Sequence, residues 1–165
     1  MVTTRRVKTD AGKNLEIALK GLEGKVAKVG WFEKSKYPDP PNLPVAYVAT
    51  IHEFGWPAKN IPPRPFMRPT IAKQANEWRD IAAKGALAIL NGKTTSDKVM
   101  EAIGLKAAGD IRKMISSIWS PPLSPHTIAA RLRKRSDKKT LGLLDKPLID
   151  TGLMFATLTN TVENA

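Results

Sequence analysis

The sequence predicts an α+β fold: about four helices packed on a small mixed or antiparallel sheet, joined by long Pro-rich and basic loops. Three observations predict it. Apolar residues recur at helical spacing over 71–89 and 99–118, β-prone runs lie near both ends, and prolines cluster over 35–44 and 56–69.

The elements follow in order. Residues 1–9 (MVTTRRVKT) are polar and basic and read as a flexible arm. Asp10 can cap a helix carrying Leu15, Ala18, Leu19 and Leu22, with Gly21 and Gly24 at its end. Lys25 to Glu33 reads as a strand with apolar residues on both faces, a pattern expected of a central or covered strand. The segment SKYPDPPNLP holds four prolines and cannot be regular structure. Pro44 suits a helix start, Val45, Val48, Ala49 and His52 continue that helix, and Gly55 ends it.

Residues 56–69, with five prolines, read as a stiff extended connector. A long helix is expected from Thr70, its stripe made by Ile71, Ala75, Trp78, Ala82, Gly85 and Ile89, with Asn91 and Gly92 stopping it. Ser96 is the expected N-cap of the next helix, and Asp97 favours its dipole. That helix buries Val99, Ile103, Ala107, Ile111, Met114, Ile115 and Ile118, and ends before Pro121 and Pro122. Residues 120–146 carry little apolar content and are expected as an extended basic loop. A Gly-marked turn and a β-prone stretch near Phe155 to Val162 close the chain, and the first and last strands are expected to pair.

The length of 165 residues fits a single domain over 1–165, able to bury roughly 70% of its unfolded surface. The absence of cysteine excludes disulfides and thiolate metal sites. Twenty-seven Lys and Arg against fifteen Asp and Glu give a formal net charge of +12 and a pI near 10.1. Such a field favours nucleic acid, anionic lipid or acidic protein partners. No apolar run is long enough to span a bilayer and none follows the N-terminal arginines as in a secretory signal, so no membrane partner is expected.

Motifs for catalysis fail one by one, and no enzyme activity, catalytic residue, cofactor or metal is expected. His52-Glu53 lacks a second histidine at i+4, and His126 lies about seventy residues on. Gly92-Lys93-Thr94 lacks the earlier glycine of a phosphate loop, since Leu87 holds that place, and reads as an interhelical turn. Asp150-Thr151-Gly152 looks like an aspartic-protease triplet, yet only thirteen residues follow Gly152, too few for a flap and lobe. The simpler reading makes Asp150 or Thr151 a turn cap and gives Gly152 an unusual backbone angle.

Six cations, Arg131, Arg133, Lys134, Arg135, Lys138 and Lys139, fall within nine residues against Asp137 alone. Three readings stand: a solvated loop, contacts to the phosphates of a DNA channel, or docking on an acidic partner surface. No aromatic residue lies between 127 and 146, which argues against base stacking.

Four blocks in order carry a resemblance. They are AYVATIHEFG (46–55), IPPRPFMRPTI (61–71), SPPLSPHTIAAR (120–131) and PLIDTGLMFATLT (147–159). Together they resemble the tail-completion or neck proteins of tailed bacteriophages, the virion-morphogenesis family similar to minor tail protein Z. The resemblance covers about residues 25–162 and departs at Met67 and over 136–146. It implies an α+β structural subunit of the virion, assembled in the host cytoplasm at the head–tail junction. Implied partners are further copies in a ring, a hexamer by preference, the connector or adaptor, the tail tube or tail terminator, and passing double-stranded DNA. The alternative, from another class, is a basic sequence-independent DNA-binding protein outside the particle.

Pro63, Arg64, Pro65, Phe66 and Arg68, with Asp150, Thr151 and Gly152, are the candidate interface or structural residues. The prolines hold Phe66 in a set direction, either against a neighbouring subunit or in the chain's own core. Arg64 and Arg68 either pair across a subunit boundary or lie in solvent.

Overall fold

The computed structural model describes residues 9, 12–13, 16–17, 20, 24–39, 41–135 and 144–164, apart from the side chains of residues 134 and 135. The described elements are β1 (Lys25–Gly30), α1 (Val45–Phe54), a 3₁₀ turn (Pro57–Lys59), α2 (Met67–Leu90), α3 (Ser96–Ser117), α4 (Pro125–Arg135), α5 (Leu153–Ala156) and β2 (Thr159–Asn164). The two strands pair as an antiparallel sheet, and the fold is α+β. Asp10, Leu15, Ala18, Leu19 and Leu22 of the expected first helix lie outside the described residues.

The chain divides into two compact units. The first comprises Met1–Lys28, Asn76–Lys106 and Asn160–Ala165. Its apolar centre is Ile89 and Val99 with Ile103 packed on them. Here α2 and α3 approach so closely that a Cβ on Gly85 would lie 2.3 Å from Val99 Cγ1. Lys25 pairs with Asp97 at 2.8 Å, and Lys28 on β1 pairs with Glu163 on β2 at 2.6 Å.

The second unit comprises Val29–Ala75 and Ala107–Thr159 and holds the main core. Val45, Ala49, Phe66, Ala108, Ile111, Ile115, Leu148, Met154 and Leu158 are buried together. Phe66 is fully buried and meets the Trp31 ring edge-on at 5.8 Å between centroids. Burying a phenylalanine this way contributes roughly 2–3 kcal/mol. Trp31 Nε1 donates to the Met154 carbonyl at 2.8 Å, so the indole is satisfied where it is partly buried. Phe66 thus closes the core of its own chain, which answers one of the two readings left open for it.

Several boundaries move from where the sequence placed them. β1 belongs to a two-stranded sheet and leaves Val26 exposed, whereas both faces were expected to be covered. α2 begins at Met67, three residues before Thr70, because a carboxylate from α1 caps its first turn. Ile71, expected on the buried stripe, is 48% exposed, while Thr70 is buried and its hydroxyl donates to the Phe66 carbonyl at 2.6 Å. The α3 cap is Thr95, not Ser96: the Val99 amide donates to the Thr95 carbonyl at 3.1 Å.

The largest correction concerns residues 120–146. Eleven of them, 125–135, form the helix α4 instead of an extended loop. Ser124 Oγ accepts from the Thr127 amide at 3.2 Å, and Pro125 opens the helix where no amide is needed. The arginines and lysines that made the segment read as a solvated loop are good helix formers.

Candidate functional site

The four resemblance blocks all fall in the second unit, where three charged side chains tie them together. The first is Glu53, near the C-terminus of α1 and 4% exposed. Its carboxylate accepts from the amides of Phe66 (2.7 Å), Met67 (2.9 Å) and Arg68 (3.1 Å), the open end of α2. Pro65 and Phe66 offer that helix no capping side chain, so its orphan N–H groups take a distant carboxylate. Arg68 Nε donates to Glu53 Oε1 at 3.0 Å, and its guanidinium lies 4.7 Å from the Phe54 ring centroid. Burial alone would raise the Glu53 pKa, but the three amides and Arg68 outweigh it and hold the carboxyl below the usual range.

The second is Arg64, also 4% exposed. Its Nε donates to the Pro121 carbonyl at 2.6 Å and its Nη2 to the Pro122 carbonyl at 2.8 Å. Proline residues leave the 121–122 segment short of donors, and the guanidinium fork supplies two. The Arg64 amide donates to the His52 carbonyl at 2.7 Å, at the end of α1. That close approach needs Gly55, which sits at φ 78° with no room for a Cβ: one would meet the Pro63 nitrogen at 2.9 Å. Pro63 itself is exposed, while Pro65 is half-buried beside Phe66.

The third is Arg131 on α4, whose side chain is 11% exposed. Its Nη1 faces the carbonyls of Lys146 (2.7 Å), Leu144 (3.1 Å) and Ile149 (3.1 Å), and its Nε lies 3.5 Å from Asp150 Oδ1. Asp150 therefore pairs with a guanidinium that is largely shielded from water. Thr151 Oγ1 accepts from the Leu153 amide at 3.3 Å, and Gly152 takes the left-handed φ of 76° ahead of α5. These are the turn-forming roles expected of the Asp-Thr-Gly triplet.

Of the six basic residues singled out by the sequence, Arg131 faces inward and Arg133 is exposed on α4. Lys134 and Arg135 continue that helix in backbone, and Lys138 and Lys139 lie outside the described residues.

A cavity of about 860 Å³ opens between α1, the 37–43 turn, α4 and the 148–154 turn. Its size falls in the range that holds small ligands or short peptides, roughly 300–1,000 Å³. Val48, Ile61, Leu123, Leu148 and Leu153 give it apolar walls. His52 lines it with Nδ1 buried and, among the described residues, without a hydrogen-bond partner. Burial, then the positive charges of Arg64 and Arg131, push the His52 pKa down to about 4, so the ring is neutral at pH 7. Burial and the Asp150 charge raise the Tyr37 phenol across the cavity. Sequence reading gave His52 no role beyond its helix and did not find this cavity, because its walls come from five separated segments.

Gly92-Lys93-Thr94 forms the expected interhelical turn, the Gly92 amide donating to the Ile89 carbonyl at 2.9 Å. No cluster of three or more metal-ligating side chains occurs among the described residues, nor any helix long and apolar enough to cross a membrane. Comparisons with protein-family models, with curated proteins and with solved structures find no match to this chain.

Proposed function

We propose that this chain is a non-enzymatic structural subunit of the head–tail junction of a tailed bacteriophage, acting as one member of a ring around the DNA path. One observation carries the reading. The four blocks of the resemblance meet in one compact unit, where Glu53 reaches the Phe66 amide, Arg64 the Pro121 carbonyl and Arg131 the Ile149 carbonyl, each in another block. Residues that depend on one another in this way form a single structural signature, which gives the resemblance more weight than four unrelated short matches would. The identification itself rests on the resemblance.

The second reading, a basic DNA-binding protein outside the particle, draws on the net charge of +12. It is weakened by Arg131, whose guanidinium is committed to three carbonyls and Asp150. Size measurement by light scattering at physiological salt, with electron microscopy, separates the two. A closed ring of one stoichiometry is expected, formed alone or on co-expression with the adjoining connector or tail protein. A monomer under all these conditions that binds duplex DNA tightly and salt-dependently, and whose deletion leaves complete particles, would sink the proposal.

A further inference from the structure

Arg64 and Arg131 both line the cavity beside His52, and the chain's own backbone does not use up either guanidinium. An arginine carries five N–H donors in a fixed fork. Arg64 spends the edge formed by Nε and Nη2 on the Pro121 and Pro122 carbonyls, and Arg131 spends Nη1 on three carbonyls. Among the described residues Arg64 Nη1 and Arg131 Nη2 donate to no acceptor. Neither is one of the buried atoms left without a partner, which are His52 Nδ1 and Lys146 Nζ. The two terminal nitrogens are therefore still open to solvent, on side chains that line one cavity.

The described lining is formally neutral, Arg64 and Arg131 against Asp39 and Asp150, but its charges are unequally placed. Asp150 lies 3.5 Å from Arg131 Nε, and Asp39 is exposed, where water and salt screen it. Arg64 is 4% exposed; burial and the Arg131 charge both act against its own charge, and among the described residues no carboxylate pairs with it. Carbonyls satisfy part of the fork, but the cation keeps a free corner that an anion would meet with charge-assisted hydrogen bonds.

We infer that the cavity binds a small monocarboxylate with an apolar body, its carboxylate accepting from the free corner of Arg64 in the field of Arg131. Val48, Ile61, Leu123, Leu148 and Leu153 take the apolar part. His52 supports the polarity of this wall, since the charges acting on its ring are those of Arg64 and Arg131. One negative charge matches the one lining guanidinium without a counter-ion. A phosphate dianion adds a second charge that Asp150 repels, and an amine is repelled by both arginines. The site goes beyond the ring reading and does not depend on it.

Octanoate is the probe, titrated into the full-length protein at physiological salt and followed by amide chemical shifts. Octanamide, octylamine and octyl phosphate keep the chain and change the head group. Octanoate is expected to bind about tenfold tighter than octanamide, the size of a hydrogen bond to a charged group. It should move the amides of His52, Arg64, Thr127 and Gly152 and leave Val99 and Ile103 in place. In Arg64→Gln protein with a native near-ultraviolet circular dichroism spectrum, the preference over octanamide should disappear. Equal binding of octanoate and octanamide by the parent protein would overturn the inference. So would tighter binding of octylamine, shifts that avoid the cavity amides, or a preference that survives in Arg64→Gln. Tighter binding of octyl phosphate would overturn it in favour of a phosphate ligand.

Discussion

Glu53 Oε2 accepts the Phe66 amide at 2.7 Å, joining the C-terminal turn of α1 to the first turn of α2 across thirteen residues of Pro-rich chain. The same carboxylate takes the Met67 and Arg68 amides, so one side chain satisfies three orphan donors. Glu53→Ala would leave those amides unpaired and is expected to cost about 3 kcal/mol. Glu53→Gln keeps an acceptor oxygen and should cost less. Urea denaturation of the two variants beside the parent protein measures both; equal costs would mean that the carboxylate charge and the cap contribute nothing separable.

Acid should destabilise the protein in two steps. His52 has a folded pKa near 4 against an ordinary 6.5, so its contribution is fully present above pH 6.5 and is lost as pH falls through 4. The loss approaches roughly 3 kcal/mol. Glu53 is also held low; its contribution is present above pH 4.5 and disappears only below that, as the carboxylate protonates in the folded state. Melting temperature followed from pH 7.5 to 3 should fall over both ranges. His52→Gln, neutral throughout, should flatten the upper range alone.

Arg131 holds the 144–150 turn by its backbone, so its removal should loosen that turn first. Arg131→Met keeps much of the stem but strips three carbonyls and Asp150 of their partner. A cost of about 2 kcal/mol is expected, chiefly from the carbonyls left short of a donor. Hydrogen exchange should show faster amide exchange at Leu153 and Ala156 of α5 than in the parent, with Val99 and Ile103 on α3 unchanged.

Lys146 is 5% exposed, and among the described residues its ammonium has no hydrogen-bond acceptor and faces the Trp119 ring 3.6 Å away. Burial lowers its pKa, with Asp145 opposing. Holding that ammonium charged at neutral pH is a cost, which lessens as pH rises. Lys146→Met fills similar volume without the charge and should raise stability by about 1 kcal/mol at pH 7. Denaturation midpoints at pH 7 and pH 10 check this; the gain should shrink at the higher pH.

Legibility followed the range of the interaction. The α3 stripe from Val99 to Ile115 is legible because a 3.6-residue period records burial along one helix, although Ala108 is buried outside that stripe and Ile118 lies past the helix end. The helix end at Gly55 was legible for the same local reason. Ile71 was misread because periodicity assumes one buried face along a whole helix, whereas here the first turn of α2 buries Thr70 instead. Charge density marks a solvated loop and an exposed helix alike, which hides α4, although its Ser124-Pro125 start is present in the sequence. The Glu53 cap left one trace: a helix start after Pro65 and Phe66 with no capping residue of its own.

By itself the sequence determined the α+β class, most of the helices and the lack of a recognisable catalytic motif; the pairing of the first and last strands is an expectation that the structure bears out. Local period, turn chemistry and composition suffice for these, because each is written in neighbouring residues. Only the tertiary structure decided that Phe66 closes its own core, that Arg64 and Arg131 are wall and not surface, and that His52 lines a cavity. The partners of Arg64 lie 57 and 58 residues away, and no local pattern encodes which carbonyls a buried guanidinium will meet. Packing makes that choice, since a buried charge persists only where distant backbone can satisfy it.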